Sequence, residues 1–200
     1  MILASSSPQR KAILEQLGIA FRVVVPEVDE LVSGPPDELV VENARRKAGA
    51  VAEAIRREAT APATGLVASG RATPVLGVDT VVVVDSEVYG KPADEVQARA
   101  TLTLLAGREH QVLSGLCVID GDHELTAVDV TQVTFRPYDR TTLDWYLATD
   151  EWRGRAGGYA IQGRGAALVQ RIDGDYLNVV GLPVATLLDL YPSALFTCIS

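Results

Sequence analysis

Apolar and polar positions follow two rhythms along this chain, one strand-like and one helical. Residues 1–5 form a short apolar run that reads as a buried strand. Three serines then offer a turn, and a helix is predicted over 8–18. Ser7 suits its N-cap, Pro8 its first position and Gly18 its stop. A second strand is predicted over 21–25, closed by Pro26, with an acidic loop over 27–36. From Pro36-Asp37 to about Glu58, the positions Val40, Ala44, Lys47, Ala48 and Val51 are spaced for one face of a longer helix. Residues 59–74, rich in Ala, Gly, Thr and Pro, read either as a mobile loop or as a plain surface excursion.

The second half mixes both rhythms. Residues 75–85 read as a strand with a hairpin arm ending at Gly90-Lys91-Pro92, and a Pro-initiated helix then runs to Gly107. Strands over 109–119 and 124–136 pair across the turn Asp120-Gly121-Asp122. A helix over 139–149 carries Leu143, Tyr146 and Leu147 on one side. After a glycine-rich stretch, 153–165, a further hairpin is predicted from 166–172 and 176–180 across Asp173-Gly174, then a helix over 183–190. Strands and helices do not alternate strictly. The expected class is therefore a mixed α/β or α+β sheet protein, one domain of two lobes at most.

Composition narrows the chemistry. The 200 residues are 48% hydrophobic and 22% charged, ordinary for a soluble globular chain. A net charge of −8 disfavours nucleic acid as a partner, so an anionic ligand needs a small local cluster of cations. Two cysteines lie far apart, there is no CxxC, and there are two histidines, which excludes zinc-finger, thioredoxin and HExxH readings. The longest apolar stretch, 75–84, is too short to span a bilayer and is interrupted by Asp79. Basic residues follow the short N-terminal apolar run, the wrong order for a signal peptide. The expectation is a cytoplasmic protein with no membrane partner.

Five places can carry chemistry. In LASSSPQR, residues 3–10, a strand, a serine turn and a helix start bring free N–H groups together, with Arg10 in the first turn. This is either an ordinary capped helix or an anion site. Asp79 stands in an otherwise apolar strand, where a carboxylate has to be paired, metal-bound or protonated. Thr80 beside it points to the opposite face of a regular strand. Lys91, between Gly90 and Pro92, is held at a helix entrance or simply marks a turn. In 152–183, Gln162 carries both an amide donor and an acceptor, and Arg153, Arg155 and Arg164 add positive charge; the alternative is a glycine-rich turn region with solvated arginines. Glu27, Asp29 and Glu30 form a solvated loop or supply oxygens to Mg²⁺. Lys47 either snorkels to the surface or points into a cleft. Trp145 and Trp152 are read as packing residues, and His110 and His123 receive no role.

Taken in this order, the pieces resemble the Maf family of nucleoside triphosphate pyrophosphatases. The matching segments are LASSSPQR, EVDE at 27–30, ENARRKA at 42–48, GVDTVVVVD at 77–85, GKP at 90–92, AGGYAIQG at 156–163 and NVVGLP at 178–183. The resemblance implies a twisted mixed sheet with flanking helices, two lobes around a deep cleft, and a shape like the inosine-triphosphate pyrophosphatases. It implies hydrolysis of the α–β phosphoanhydride of a pyrimidine or modified nucleoside triphosphate, with Mg²⁺ or Mn²⁺, in a homodimer. By the same resemblance Asp79 is the base, Lys91 and Glu30 act beside it, Asp79 and Glu30 bind the metal, and Ser7, Gln9, Arg10, Lys47, Thr80 and Gln162 bind substrate. Thr80 and Gln162 in the AIQG context resemble the dTTP/UTP branch rather than the 7-methyl-GTP branch. The chain departs from the family at Gln9, where SPQR replaces SPRR and one arginine is missing, and the 59–74 loop is longer than usual. A nucleotide-binding regulator of division with little turnover is the alternative.

Overall fold

The computed structural model describes residues 1–60 and 73–196; the segment read as a mobile loop, 59–74, lies mostly outside them. In chain order the elements are β1 (Ile2–Ala4), α1 (Pro8–Gln16), β2 (Arg22–Val23), α2 (Pro36–Thr60), β3 (Val75–Val84), β4 (Glu87–Tyr89), α3 (Glu95–Leu105), β5 (Glu109–Asp120), β6 (His123–Phe135), α4 (Arg140–Leu147), β7 (Val169–Asp173), α5 (Tyr176–Val180) and α6 (Val184–Leu190). Seven strands make one mixed sheet in the order β2-β1-β3-β5-β6-β7, with β4 also paired to β3. The β2-β1 and β1-β3 pairs are parallel, and the remaining pairs are antiparallel.

Strand β3 organises the molecule. It is a valine-rich run buried on both faces, as expected of a central strand. On one edge it pairs with β5 from Val75 to Val83. On the other edge β1 pairs with Val75–Gly77 and β4 with Val82–Val84. Between those two partners, Val78 to Val81 have no strand partner on that edge among the described residues. Asp79 and Thr80 sit in this gap.

The period-2 alternation of the strand then creates four cores, two on each face. On one face Leu76 and Val78 pack with Ile13 and Leu14 of α1 and Leu187 of α6, while Val82 and Val84 pack with α3 and α4 through Leu102, Leu105 and Tyr146. Thr80 divides these two clusters. On the opposite face Val75 packs with Ala44, Ala48 and Val51 of α2, and Val81 and Val83 pack with Leu39 and Val40. Asp79 divides that pair. The apolar clusters lie at either end of β3, and the polar pair lies between them.

Helix α2 lies unusually close to the sheet because two glycines lie beneath it. A Cβ on Gly77 would stand 2.2 Å from the Ala44 carbonyl oxygen, and one on Gly115 would stand 2.3 Å from the Val40 carbonyl carbon. Gly115 is the register partner of Asp79. The close approach is therefore centred on the carboxylate.

Several local expectations change. Residues 176–180 form helix α5 and not a hairpin strand. Asp175 caps it by accepting the Leu177 N–H at 2.8 Å, so the polar cluster at 173–175 starts a helix instead of reversing a strand. Residues 164–168 are a 3-10 turn, leaving β7 to begin at Val169. Helix α3 starts at Glu95, three residues after Pro92, because Asp94 accepts the Gln97 N–H. Trp152 is buried in the core as a packing residue, but Trp145 is 47% exposed on α4.

Candidate active site

The N-terminal serine turn reaches the gap in β3. Ser7 caps α1 by accepting the Arg10 N–H, and Ser5 Oγ accepts the Ser7 N–H at 3.1 Å. These bonds aim Arg10 inward. Its Nε donates to the Gly181 carbonyl at 2.8 Å, Nη1 to Ser5 Oγ at 3.1 Å and Nη2 to Thr80 Oγ1 at 3.0 Å. Thr80 in turn shares a 2.8 Å hydrogen bond with Ser114 on β5. Arg10 is buried, and desolvation lowers its pKa against the raising fields of Asp79 and Glu30. Its side-chain partners among the described residues are all neutral oxygens, so its charge is not cancelled by a directly bonded carboxylate.

On the α2 side, Lys47 and Asn43 are both buried and lie one helical turn apart. Lys47 Nζ is 2.6 Å from Asp79 Oδ1 and 2.8 Å from Glu30 Oε1, so it bridges the two carboxylates. Asn43 Nδ2 donates to Asp79 Oδ2 at 2.9 Å, and the same side chain holds the Leu31 backbone through both of its polar atoms. Asp79 is thus ion-paired and hydrogen-bonded through both oxygens, which resolves the cost of placing it in an apolar strand.

Two adjoining cavities open at this point. The larger, about 230 Å³, is lined by Arg10, Asp79, Thr80, Lys91, Tyr159 and Gln162, with Val82, Val112, Val179 and Val180 forming an apolar wall. The smaller, about 70 Å³, adds Ser5, Glu30 and Lys47, and it shares Ser6, Ser7, Arg10 and Lys91 with the first. Lys91 stands at the junction. Burial lowers its pKa, the neighbouring cations Arg10 and Lys47 push the same way, and Glu30 and Asp79 oppose them. The loop carrying Lys91 is held in place when the Gly157 N–H donates to the Gly90 carbonyl at 3.0 Å. Only glycine fits at 157, where φ is +65° and a Cβ would lie 2.6 Å from Val82 Cγ2.

All nine residues that the family resemblance assigns to the site line one or both cavities: Ser7, Gln9, Arg10, Glu30, Lys47, Asp79, Thr80, Lys91 and Gln162. Of the other charged candidates, Arg155 lines the larger cavity, whereas Glu27, Asp29, Arg153 and Arg164 line neither. Gln9 faces the larger one, and its Oε1 accepts from Ser7 Oγ at 3.1 Å. Thr80 does lie on the opposite face of β3 from Asp79 and reaches the site through Arg10. Four further contributors were not singled out for the site: Asn43, Ser114, Tyr159 and the Gly181 carbonyl; Ser5 belongs to the serine turn already read as a candidate anion site. Asn43 was findable, since it lies four residues before Lys47 on the same apolar face.

Asp79 and Glu30 are the carboxylates available to a metal. Among the described residues no group of three or more His, Cys, Asp or Glu side chains forms a metal cage. Two carboxylates beside a cationic cavity do fit a Mg²⁺-like ion that completes its shell with substrate phosphate oxygens, the usual arrangement for that ion.

A family model described as "Maf-like protein" matches residues 1–193. The chain belongs to the Maf family. A Maf relative from Symbiobacterium thermophilum named "dTTP/UTP pyrophosphatase" is 49% identical over 186 residues, covering 92% of this chain and 88% of that protein. One of the same name from Bacillus cereus is 40% identical over 189 residues, covering 94% and 86%. Among solved structures, the Staphylococcus aureus Ham1 protein overlaps 67% of this Maf chain and 70% of its own, at 16% identity and a TM-score of 0.44.

Proposed function

We propose that this Maf protein is a nucleoside triphosphate pyrophosphatase acting on dTTP and UTP. Water attacks the α-phosphorus, the α–β bridging P–O bond breaks, and the nucleoside monophosphate and pyrophosphate leave. One observation carries the reading: a buried carboxylate, Asp79, faces a cavity whose other walls carry Arg10 and Lys91. Two relatives at 49% and 40% identity bearing the pyrophosphatase name support the substrate and the bond cleaved.

The residues divide the work by position. The apolar wall of Val82, Val112, Val179 and Val180 accepts the nucleoside, with Gln162 at the base edge. Arg10, Lys91 and the N-terminus of α1 offset the charge of the triphosphate. Lys47 and Asn43 fix the Asp79 carboxylate, and its remaining lone pairs take or orient the proton of the attacking water. Negative charge builds on the departing pyrophosphate, where Lys91 and Arg10 stabilise it. Asp79 and Glu30 are the residues that would hold a divalent cation, Mg²⁺ or Mn²⁺, which would supply Lewis-acid polarisation of the phosphate and lower the pKa of water.

The family resemblance supports a homodimer working in the cytoplasm as part of this reading. Among the described residues, no helix is long and apolar enough to cross a membrane. The test is a panel of nucleoside triphosphates scored for monophosphate plus pyrophosphate, with and without chelator, using wild type and Asp79→Asn. Wild type is expected to release pyrophosphate from dTTP and UTP only without chelator. Asp79→Asn should lose about 10²–10⁴ in rate, the range for a general base, while still binding nucleotide. Tight binding with no pyrophosphate in wild type would support the regulatory reading, and release of orthophosphate would indicate a different hydrolase.

A further inference from the structure

Arg155 lines the larger cavity together with Tyr159 and Gln162, and nothing in the reaction above uses it. Its Nε is buried with no hydrogen-bond partner, and no carboxylate forms an ion pair with it among the described residues. A half-buried guanidinium without a partner is costly unless a ligand completes it. Its position separates it from the other cations. Arg10 and Lys91 border both cavities and feel the fields of Asp79 and Glu30. Arg155 borders only the larger cavity, and the charges acting on it are those of Tyr146 and Glu151. It therefore belongs to the nucleoside end of the cleft and not to the phosphate end.

The chemistry at that end leaves a question that Gln162 cannot answer alone. Gln162 is exposed to the cavity, and its amide is bonded to no other described side chain. A carboxamide presents one donor and one acceptor, and a half-turn exchanges them. It can thus pair with the imide edge of uracil or thymine, or equally, after rotation, with the amino-pyrimidine edge of cytosine. A guanidinium has five donors and no acceptor, so no rotation changes what it offers.

Resting on the pyrophosphatase reading, we propose that Arg155 is a specificity-determining residue that donates to the carbonyl oxygen at position 4 of a keto pyrimidine, so that uracil and thymine are accepted and cytosine, with an amino group at that position, is disfavoured. Gln162 then has its orientation chosen for it: with Arg155 on the carbonyl, the amide oxygen takes the ring N3–H.

The experiment compares wild type, Arg155→Met and Arg155→Lys with UTP, dTTP and CTP. Turnover gives kcat/KM, and the uncleavable α,β-methylene analogues of UTP and CTP give affinities that do not depend on turnover. Wild type is expected to prefer UTP to CTP. Arg155→Met should lower that preference on the order of tenfold to a hundredfold, the worth of one hydrogen bond to a charged donor, mostly through KM for UTP. Arg155→Lys, which keeps the charge on a single flexible donor, should fall between. Since Arg155 holds no described partner in place, the variants retain the fold, as checked by unchanged thermal unfolding. The proposal is overturned if the UTP-to-CTP affinity ratio stays within about twofold of wild type, because a discriminating contact would be worth more than that. It is overturned equally if UTP, dTTP and CTP weaken by one common factor, which would mark a phosphate contact, or if wild type shows no preference. Wild type that binds the analogues selectively yet releases no pyrophosphate would sink the enzymatic reading and leave the base contact standing.

Discussion

Replacing Gly115 with alanine tests the geometry of the site without touching a group that meets substrate. The new methyl would stand 2.3 Å from the Val40 carbonyl carbon and oxygen and 2.6 Å from the Val41 nitrogen. Ordinary carbon contacts begin at about 3.5 Å, so α2 has to lift by roughly 1 Å at this point. The obstacle is backbone, and no side chain can rotate away. Gly115 is directly opposite Asp79 in the β3–β5 register, and Asn43 is one turn along α2 from Val40. Bonds of 2.6 Å from Lys47 and 2.9 Å from Asn43 to Asp79 would stretch beyond hydrogen-bonding reach. The expected loss is about 10²-fold in kcat/KM, the usual effect of misplacing a catalytic group by an ångström. Overpacking should also cost about 1–3 kcal/mol of stability. The control is Gly49→Ala on the same helix, where a methyl meets nothing within 4 Å. It should leave activity unchanged and add up to about 1 kcal/mol through helix propensity. Pyrophosphate release gives the first quantity and urea midpoints the second. Gly115→Ala with activity within twofold of wild type would falsify the argument that close helix–sheet packing holds the carboxylate in place.

Two further outcomes follow from the buried charges. Lys47→Met removes the cation bridging Asp79 and Glu30 and should cost about 3–5 kcal/mol, as measured when one partner of a buried pair is deleted. Adding Asp79→Asn to it should recover much of that loss in urea midpoint without recovering activity; failure to recover would place the strain elsewhere. His110 is buried against Phe135 and Tyr159, with Nε2 bonded to the Tyr159 hydroxyl at 2.9 Å, and burial lowers its pKa to about 4. The unfolded chain therefore takes up this proton first as pH falls. Stability is fully present above about pH 6.5 and declines towards pH 4 by roughly 3 kcal/mol on this account. His110→Gln should flatten that part of the pH–stability curve relative to wild type, and an unchanged slope would exclude His110 as its source.

Much of the site was readable in the chain because its polar residues interrupt apolar patterns. Asp79 breaks a valine run, and Lys47 breaks the buried face of α2; each departure has to be compensated, and each is compensated by the other. The serine turn was readable from the sequence of cap, proline and arginine. What the chain concealed was contributed by backbone. The Gly181 carbonyl that receives Arg10 comes from 171 residues away and has no side chain to announce it. The gap in β3 depends on β1 and β4 sharing one edge, a matter of topology that no local pattern encodes. Gly77 and Gly115 have no side chain to mark them in the sequence, yet they set the spacing between helix and sheet. The misread hairpin at 176–180 has the same origin: Asp175 serves a turn or a helix start equally well, and burial of Asn178 against Val112 and Thr131 accompanies the helix.

The three neutral oxygens around Arg10 have a practical corollary. A guanidinium anchored this way keeps an unspent positive field aimed at the cleft, and that field does not distinguish a nucleotide from any other small polyanion. Phosphate and sulfate buffers are therefore expected to compete with substrate in vitro, and pyrophosphate added to the assay is expected to inhibit by holding the same guanidinium.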